Sequence, residues 1–133
     1  MSDQEIKDML TKYRTIVAVG LSSKPDRPSF AVGTYLKANG YRIIPVNPNE
    51  AEVLGEKSYP ELEAVPGPIE FVQIFRKPEA VPAIVETAIR KGAKVIWMQD
   101  GAGHPEAAKR AAAAGLMTVV DDCMMRQHHR LLG

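Results

Sequence analysis

The sequence predicts an α/β protein, a three-layer, doubly wound parallel sheet of five strands in the order 3-2-1-4-5. Two observations carry this. Short apolar runs alternate with stretches of helical periodicity along the whole chain, joined by connections of a few residues, as successive β–α units require. The first apolar run, Thr15-Ile16-Val17-Ala18-Val19, ends in Gly20 and feeds a hydroxyl-rich basic loop, Leu21-Ser22-Ser23-Lys24-Pro25-Asp26-Arg27-Pro28, before a helical pattern starts at Ser29. A buried strand, a glycine turn and a helix N-terminus in succession point oriented donors at an anion.

Each element has its own warrant. Ser2 and Glu5 form a Ser-x-x-Glu capping box, with Ile6, Met9, Leu10 and Tyr13 at helical spacing behind it, which predicts a helix over Asp3–Tyr13. Thr15–Val19 is apolar on both faces, as a central parallel strand is. Ser29–Asn39 reads as a helix stopped by Gly40, with Val32, Tyr35 and Leu36 inward and Gly33 allowing close approach to the sheet. Tyr41–Val46 is the second strand, closed by Asn47-Pro48-Asn49. A loop follows, with one short helix around Pro60–Ala64. Ile69–Phe75 is the third strand. Pro78–Lys91 carries the clearest amphipathic pattern, and Pro82 is tolerated in its first turn. Lys94–Met98 is the fourth strand, Pro105–Gly115 an alanine-rich helix, Met117–Val120 the fifth strand. A last short helix carries Met124, Met125 and Leu131. If exposed, these residues with Leu132 make a natural homodimer surface.

The 133 residues form one domain, 1–133, with no repeat, linker or low-complexity segment. Seventeen basic and sixteen acidic residues leave a net charge of +1, so no global field selects nucleic acid or an anionic membrane, and any anion site has to be local. The single cysteine, Cys123, excludes a disulfide framework and a cysteine-based zinc cluster. No apolar run approaches the ~20 residues of a membrane span. The polar, acidic start is unlike a signal peptide, and a cytoplasmic protein is expected.

In a doubly wound sheet, function sits just beyond the strands, beside strand 1 where the order reverses. Lys24, Arg27, Arg76 and Lys77 are placed there by the pattern, with the hydroxyls of Ser22 and Ser23, and such donors and charges suit phosphate. A dinucleotide is disfavoured: Gly20-Leu21-Ser22 lacks the second glycine of G-x-G-x-x-G, and strand 2 ends in Asn47-Pro48, the first acid, Glu50, lying beyond. Neither a Walker loop nor a serine-hydrolase elbow occurs.

Six ordered motifs resemble the CoA-binding protein family, small proteins similar to the N-terminal domain of the succinyl-CoA synthetase α subunit. They are Val19 to Pro28, Gly40 to Pro48, Leu54-Gly55-Glu56-Lys57, Phe75-Arg76-Lys77-Pro78, Trp97-Met98-Gln99-Asp100-Gly101 and Val119-Val120-Asp121-Asp122-Cys123. The resemblance implies a Rossmann-like domain binding coenzyme A or an acyl-CoA. It implies that Gly20, Leu21, Ser22, Ser23, Lys24 and Arg27 surround the phosphates and that Val46, Asn47 and Pro48 border the adenosine. Phe75, Arg76 and Lys77 would line the middle, and Gln99 and Gly101 the pantetheine side. Asp121-Asp122-Cys123 departs from the family's usual Asp-Arg-Cys, losing a positive charge at this end, and Asp100-Gly101-Ala102-Gly103 is more polar than usual.

No nucleophile–base pair is evident, so no catalytic residue and no metal site are assigned. His104 precedes Pro105 and reads as a structural group at a helix start. His128 and His129 are neighbours that point apart on a helix. Cys123 reads as a small buried hydrophobe, and Asp121-Asp122 as turn caps. The expected function is non-enzymatic CoA or acyl-CoA binding. The alternative is the CoA-binding component of an acyl-CoA ligase or transferase working with a separate ATP-binding chain.

Overall fold

The computed structural model describes every residue from Met1 to Gly133. The chain opens with α1 (Asp3–Lys12), capped by the expected box: the Ser2 hydroxyl accepts the Glu5 N–H, and the Glu5 carboxylate accepts the Ser2 N–H. Then come β1 (Thr15–Val19), α2 (Pro28–Ala38) and β2 (Arg42–Val46). A small hairpin, β3 (Glu52–Val53) with β4 (Glu56–Lys57), is followed by a single 3₁₀ turn, Leu62–Ala64, where a short helix was expected. The remainder is β5 (Phe71–Ile74), α3 (Val81–Arg90), β6 (Val95–Met98), α4 (Pro105–Ala113), β7 (Met117–Val119) and α5 (Met124–Leu132). A 3₁₀ turn, Pro78–Ala80, leads into α3, so Pro82 falls at the start of the α-helix, where a missing N–H costs nothing.

The main sheet is fully parallel, in the order β2-β1-β5-β6-β7. Tyr59 adds one parallel bridge to Val46 on the outer side of β2. With that bridge as a vestigial third strand, the 3-2-1-4-5 pattern holds and the order reverses beside β1. The Phe71–Ile74 strand, which the periodicity places third, takes the fourth position and pairs directly with β1, Ala18 opposite Gln73. Its short apolar sequence does not encode which neighbour it joins.

Alternation along the strands builds two cores. Ile16, Ala18, Phe71, Val95 and Trp97 face α1, α2 and α5, while Val17, Val19, Val72, Ile74, Ile96 and Met98 face α3 and α4. Both faces are buried, as a parallel sheet demands. Trp97 stacks on Phe71 at 6.3 Å between centroids, and its indole N–H donates to the Asp122 carbonyl at 2.8 Å. α5 is not a free apolar face: Met124 is fully buried, and Met125, Leu131 and Leu132 pack on the protein's own core. Arg130 adds a double contact from α5 to Asp3 at the start of α1. His128 is buried beneath α2 with Nδ1 2.8 Å from the Tyr35 hydroxyl, and His129 is exposed. No helix is long and apolar enough to cross a membrane.

Candidate functional site

The strand-1 turn is built by close approach. Gly20 has φ +94°, and a Cβ there would lie 2.8 Å from the Phe75 carbonyl oxygen and 2.9 Å from Arg76 Cδ. Its lack of a side chain lets the β5 loop lie against the β1 loop. Gly33 in α2 leaves room for Leu21 and Leu54, whose side chains would meet a Cβ at 3.0 and 3.1 Å. Leu21 is therefore a core residue, fully buried, and so is Val46.

Two contiguous cavities follow the strand ends. The larger, about 650 Å³, has no hydrophobic residue in its lining. It brings together Gly20, Ser22, Lys24, Arg27, Asn47, Pro48, Arg76 and Lys77 as expected, and adds Asn49 and Glu50. The smaller, about 310 Å³, shares Gly20, Ser22, Arg27, Arg76 and Lys77 with it and continues past Phe75 to Asp100 and Gly101. Lys24, Arg27, Arg76 and Lys77 are exposed and enter no ion pair, whereas Arg42, Arg90, Arg110, Arg126 and Arg130 are all paired to carboxylates. Four cations free of ion pairs thus surround one polar hollow, an arrangement chemically suited to an anion.

The backbone contributes less than the loop pattern suggests. The Ser22 N–H donates to Ser29 Oγ at 3.1 Å, and the Lys24 N–H to Ser22 Oγ at 3.1 Å. The Ser23 N–H donates to Glu50 Oε2 at 2.6 Å. All three consecutive donors are satisfied within the protein, so in this state side chains make the positive field. Ser23 itself is exposed and stands outside the lining of both cavities. Asn47 holds the second strand's loop in place: its Nδ2 donates to the Leu21 carbonyl and its Oδ1 accepts the Asn49 N–H.

The β6–β7 end is internally bonded. Gln99, expected to face a ligand, is buried, and its Oε1 accepts the Met124 N–H at 2.8 Å and Gln73 Nε2 at 3.2 Å. It caps α5 from inside the core, because the residue ending β6 lies under that helix. Asp121 adopts φ +57°, and its Oδ1 accepts the N–H groups of Gly101 and Gly103. Asp122 accepts from the Cys123 N–H, Arg126 and Gln127, while Arg126 also reaches Asp100. Arg126 thus returns, four residues on, a positive charge to the place where Asp122 departs from the usual motif. Cys123 is buried. His104 caps α4, its Nδ1 accepting the Ala107 N–H.

The lining residues not expected from sequence are Pro28, Ser29, Asn49, Glu50 and Asp100. Position just after strands 1, 2 and 4, at the start of α2 for Pro28 and Ser29 and in the loops for the other three, is the available signal, and Glu50 stands out as the first acid beyond strand 2.

A doubly wound sheet with a polar crevice bordered by four cations at its switch point is the framework of nucleotide-type ligand-binding domains. Residues 14–129 match the family model described as CoA binding domain, and the chain belongs to that family. It is 38% identical over 127 residues to the uncharacterized protein YneT of Bacillus subtilis (strain 168), covering 96% of this chain and 94% of that one. It is 30% identical over 96 residues to acetate–CoA ligase (ADP-forming) II of Archaeoglobus fulgidus, a match covering 69% of this chain and only 14% of the ligase. A solved structure of a hypothetical protein from Pyrococcus horikoshii OT3 superposes with a TM-score of 0.96 at 47% identity, covering 100% of this chain and 94% of that one.

Proposed function

We propose that the protein binds coenzyme A or an acyl-CoA across the strand ends, as a binding protein without a catalytic group of its own. The observation that carries the reading is the set of four unpaired cations, Lys24, Arg27, Arg76 and Lys77, around a polar hollow of about 650 Å³. That volume lies in the range of small-ligand sites, and CoA brings three phosphate groups to it. Ser22 and the four cations are assigned to the phosphates, with Ser23 joining them once its N–H is released. Asn47 and Pro48 border the adenosine. The pantetheine arm runs past Phe75 toward Gly101, along the one stretch of the crevice with an apolar wall. Gln99, Leu21 and Val46 support the site from the core and are not assigned contacts.

Calorimetric titration with CoA, dephospho-CoA, NAD and ATP tests this. CoA is expected to bind tightest, and dephospho-CoA more weakly because it lacks one anion. NAD binding as tight as CoA contradicts the reading. A second reading, the CoA-binding component of an acyl-CoA ligase with a separate ATP-binding chain, is favoured by the similarity to a segment of the Archaeoglobus ligase. CoA-dependent ATP turnover by this chain mixed with such a partner, and by neither alone, would support it.

A further inference from the structure

Glu50 is the one acid among the ten residues around the larger cavity. Its Oε2 takes the Ser23 N–H at 2.6 Å, a short bond from a backbone donor to a carboxylate. The neighbouring loop donors differ in kind, since Ser22 and Lys24 give their N–H groups to neutral hydroxyls within the loop and helix start. Only the Ser23 donor is held by a charged side chain from another loop. Hydrogen bonding by Ser23 holds the Glu50 carboxyl below the ordinary glutamate range, with the Lys24 charge adding to it, so the group is an anion at neutral pH. Its other oxygen makes no hydrogen bond, and the residue lines the crevice. The two loops are joined independently by Asn47, whose amide donates to the Leu21 carbonyl at 3.0 Å. Release of Glu50 therefore leaves the crevice assembled.

We propose that Glu50 is a built-in competing anion, whose carboxylate occupies the Ser23 N–H and is displaced when a polyphosphate ligand binds. The inference deepens the CoA reading and rests on it for the natural ligand, but the displaced bond is a property of the unliganded protein. A carboxylate facing Lys24, Arg27, Arg76 and Lys77 cancels part of their field, so each ligand has to exceed an internal rival. Displacement then frees a backbone donor in the turn after β1, and the crevice gains a neutral N–H contact only when a phosphate is present to use it.

The test uses the whole protein, inorganic pyrophosphate and CoA as probes, and two readouts. By calorimetry, Glu50→Gln is expected to bind pyrophosphate roughly two- to fivefold tighter than wild type, the scale of one solvent-screened charge interaction. By amide NMR, the Ser23 resonance of the unliganded wild type is expected to follow the titration of the Glu50 carboxyl. Saturating pyrophosphate should abolish that coupling. Equal or weaker pyrophosphate binding by Glu50→Gln overturns the inference, as does a Ser23 amide still coupled to Glu50 in the saturated complex. If pyrophosphate displaces Glu50 but CoA binds neither protein, the inference stands and the CoA reading alone fails.

Discussion

The two ends of the crevice use similar residues in opposite ways. At the β1–β5 end, Lys24, Arg27, Arg76 and Lys77 are left without ion-pair partners, and one carboxylate, Glu50, sits among them. At the β6–β7 end, charges are as dense, but Asp100, Asp121, Asp122 and Arg126 spend themselves on one another and on backbone N–H groups. Exposed ion pairs of this kind add little net stability, yet they consume the valence a ligand would need. Charge content is similar at the two ends; what marks the β1–β5 end as the candidate site is that its cations are free of ion pairs and gathered around one hollow.

The largest effect is expected at the bonded end. Gln99→Ala would leave the buried Met124 N–H and Gln73 Nε2 without their shared acceptor, at an expected cost of about 2–4 kcal/mol in denaturant unfolding. CoA affinity of the folded protein should be unchanged; lost affinity at unaltered stability would make Gln99 a ligand contact. Gly20→Ala strains the open end instead, through its positive φ and the Phe75 carbonyl 2.8 Å from the new Cβ. It should cost about 1–3 kcal/mol and weaken CoA binding together, because the β5 loop carrying Arg76 has to move.

Removing charge rather than fold sharpens the contrast. Arg27→Ala with Arg76→Ala should weaken CoA binding by about tenfold or more and flatten its salt dependence, with stability changed by no more than about 0.5 kcal/mol. Unchanged affinity would move the phosphates elsewhere. The smallest effect lies away from both ends, at His128. Burial under α2 holds its pKa below the ordinary histidine value, with the charges of Arg14 and His129 acting the same way; Tyr35 and Tyr41 complete its surroundings. The unfolded chain therefore takes up this proton first. The stability tied to neutral His128 is full above about pH 6.5 and declines as pH falls through the depressed folded value. Urea midpoints for wild type should fall between pH 7 and 5, and that slope should lessen in His128→Gln.

Much of this was legible in the sequence because it is local. The capping box at Ser2 and Glu5, the glycine ending β1, the amphipathic α3 and the position of His104 before Pro105 each declare themselves within a few residues. The four crevice cations were legible because a doubly wound sheet brings the post-strand loops together whatever their sequence. What was hidden depends on tertiary partners. The β3–β4 hairpin turns on Leu54-Gly55, both at positive φ, and leucine gives no turn signal there. The family resemblance implies a ligand contact at Gln99, but α5 docks over it and buries it. Glu50 is visible in the sequence as the first acid beyond strand 2, but nothing local reveals that it reaches the Ser23 N–H.

On the CoA reading, the ligand's phosphates settle at the β1–β5 end and not at the β6–β7 end. Amide chemical-shift mapping during a CoA titration tests it in one experiment. Saturable shifts are expected at Ser22, Ser23, Lys24, Arg27, Arg76 and Lys77, with Asp121 to Gln127 staying close to their unliganded positions. Shifts that are largest across Asp121 to Gln127, with the Ser22 to Arg27 loop unmoved, would contradict the account.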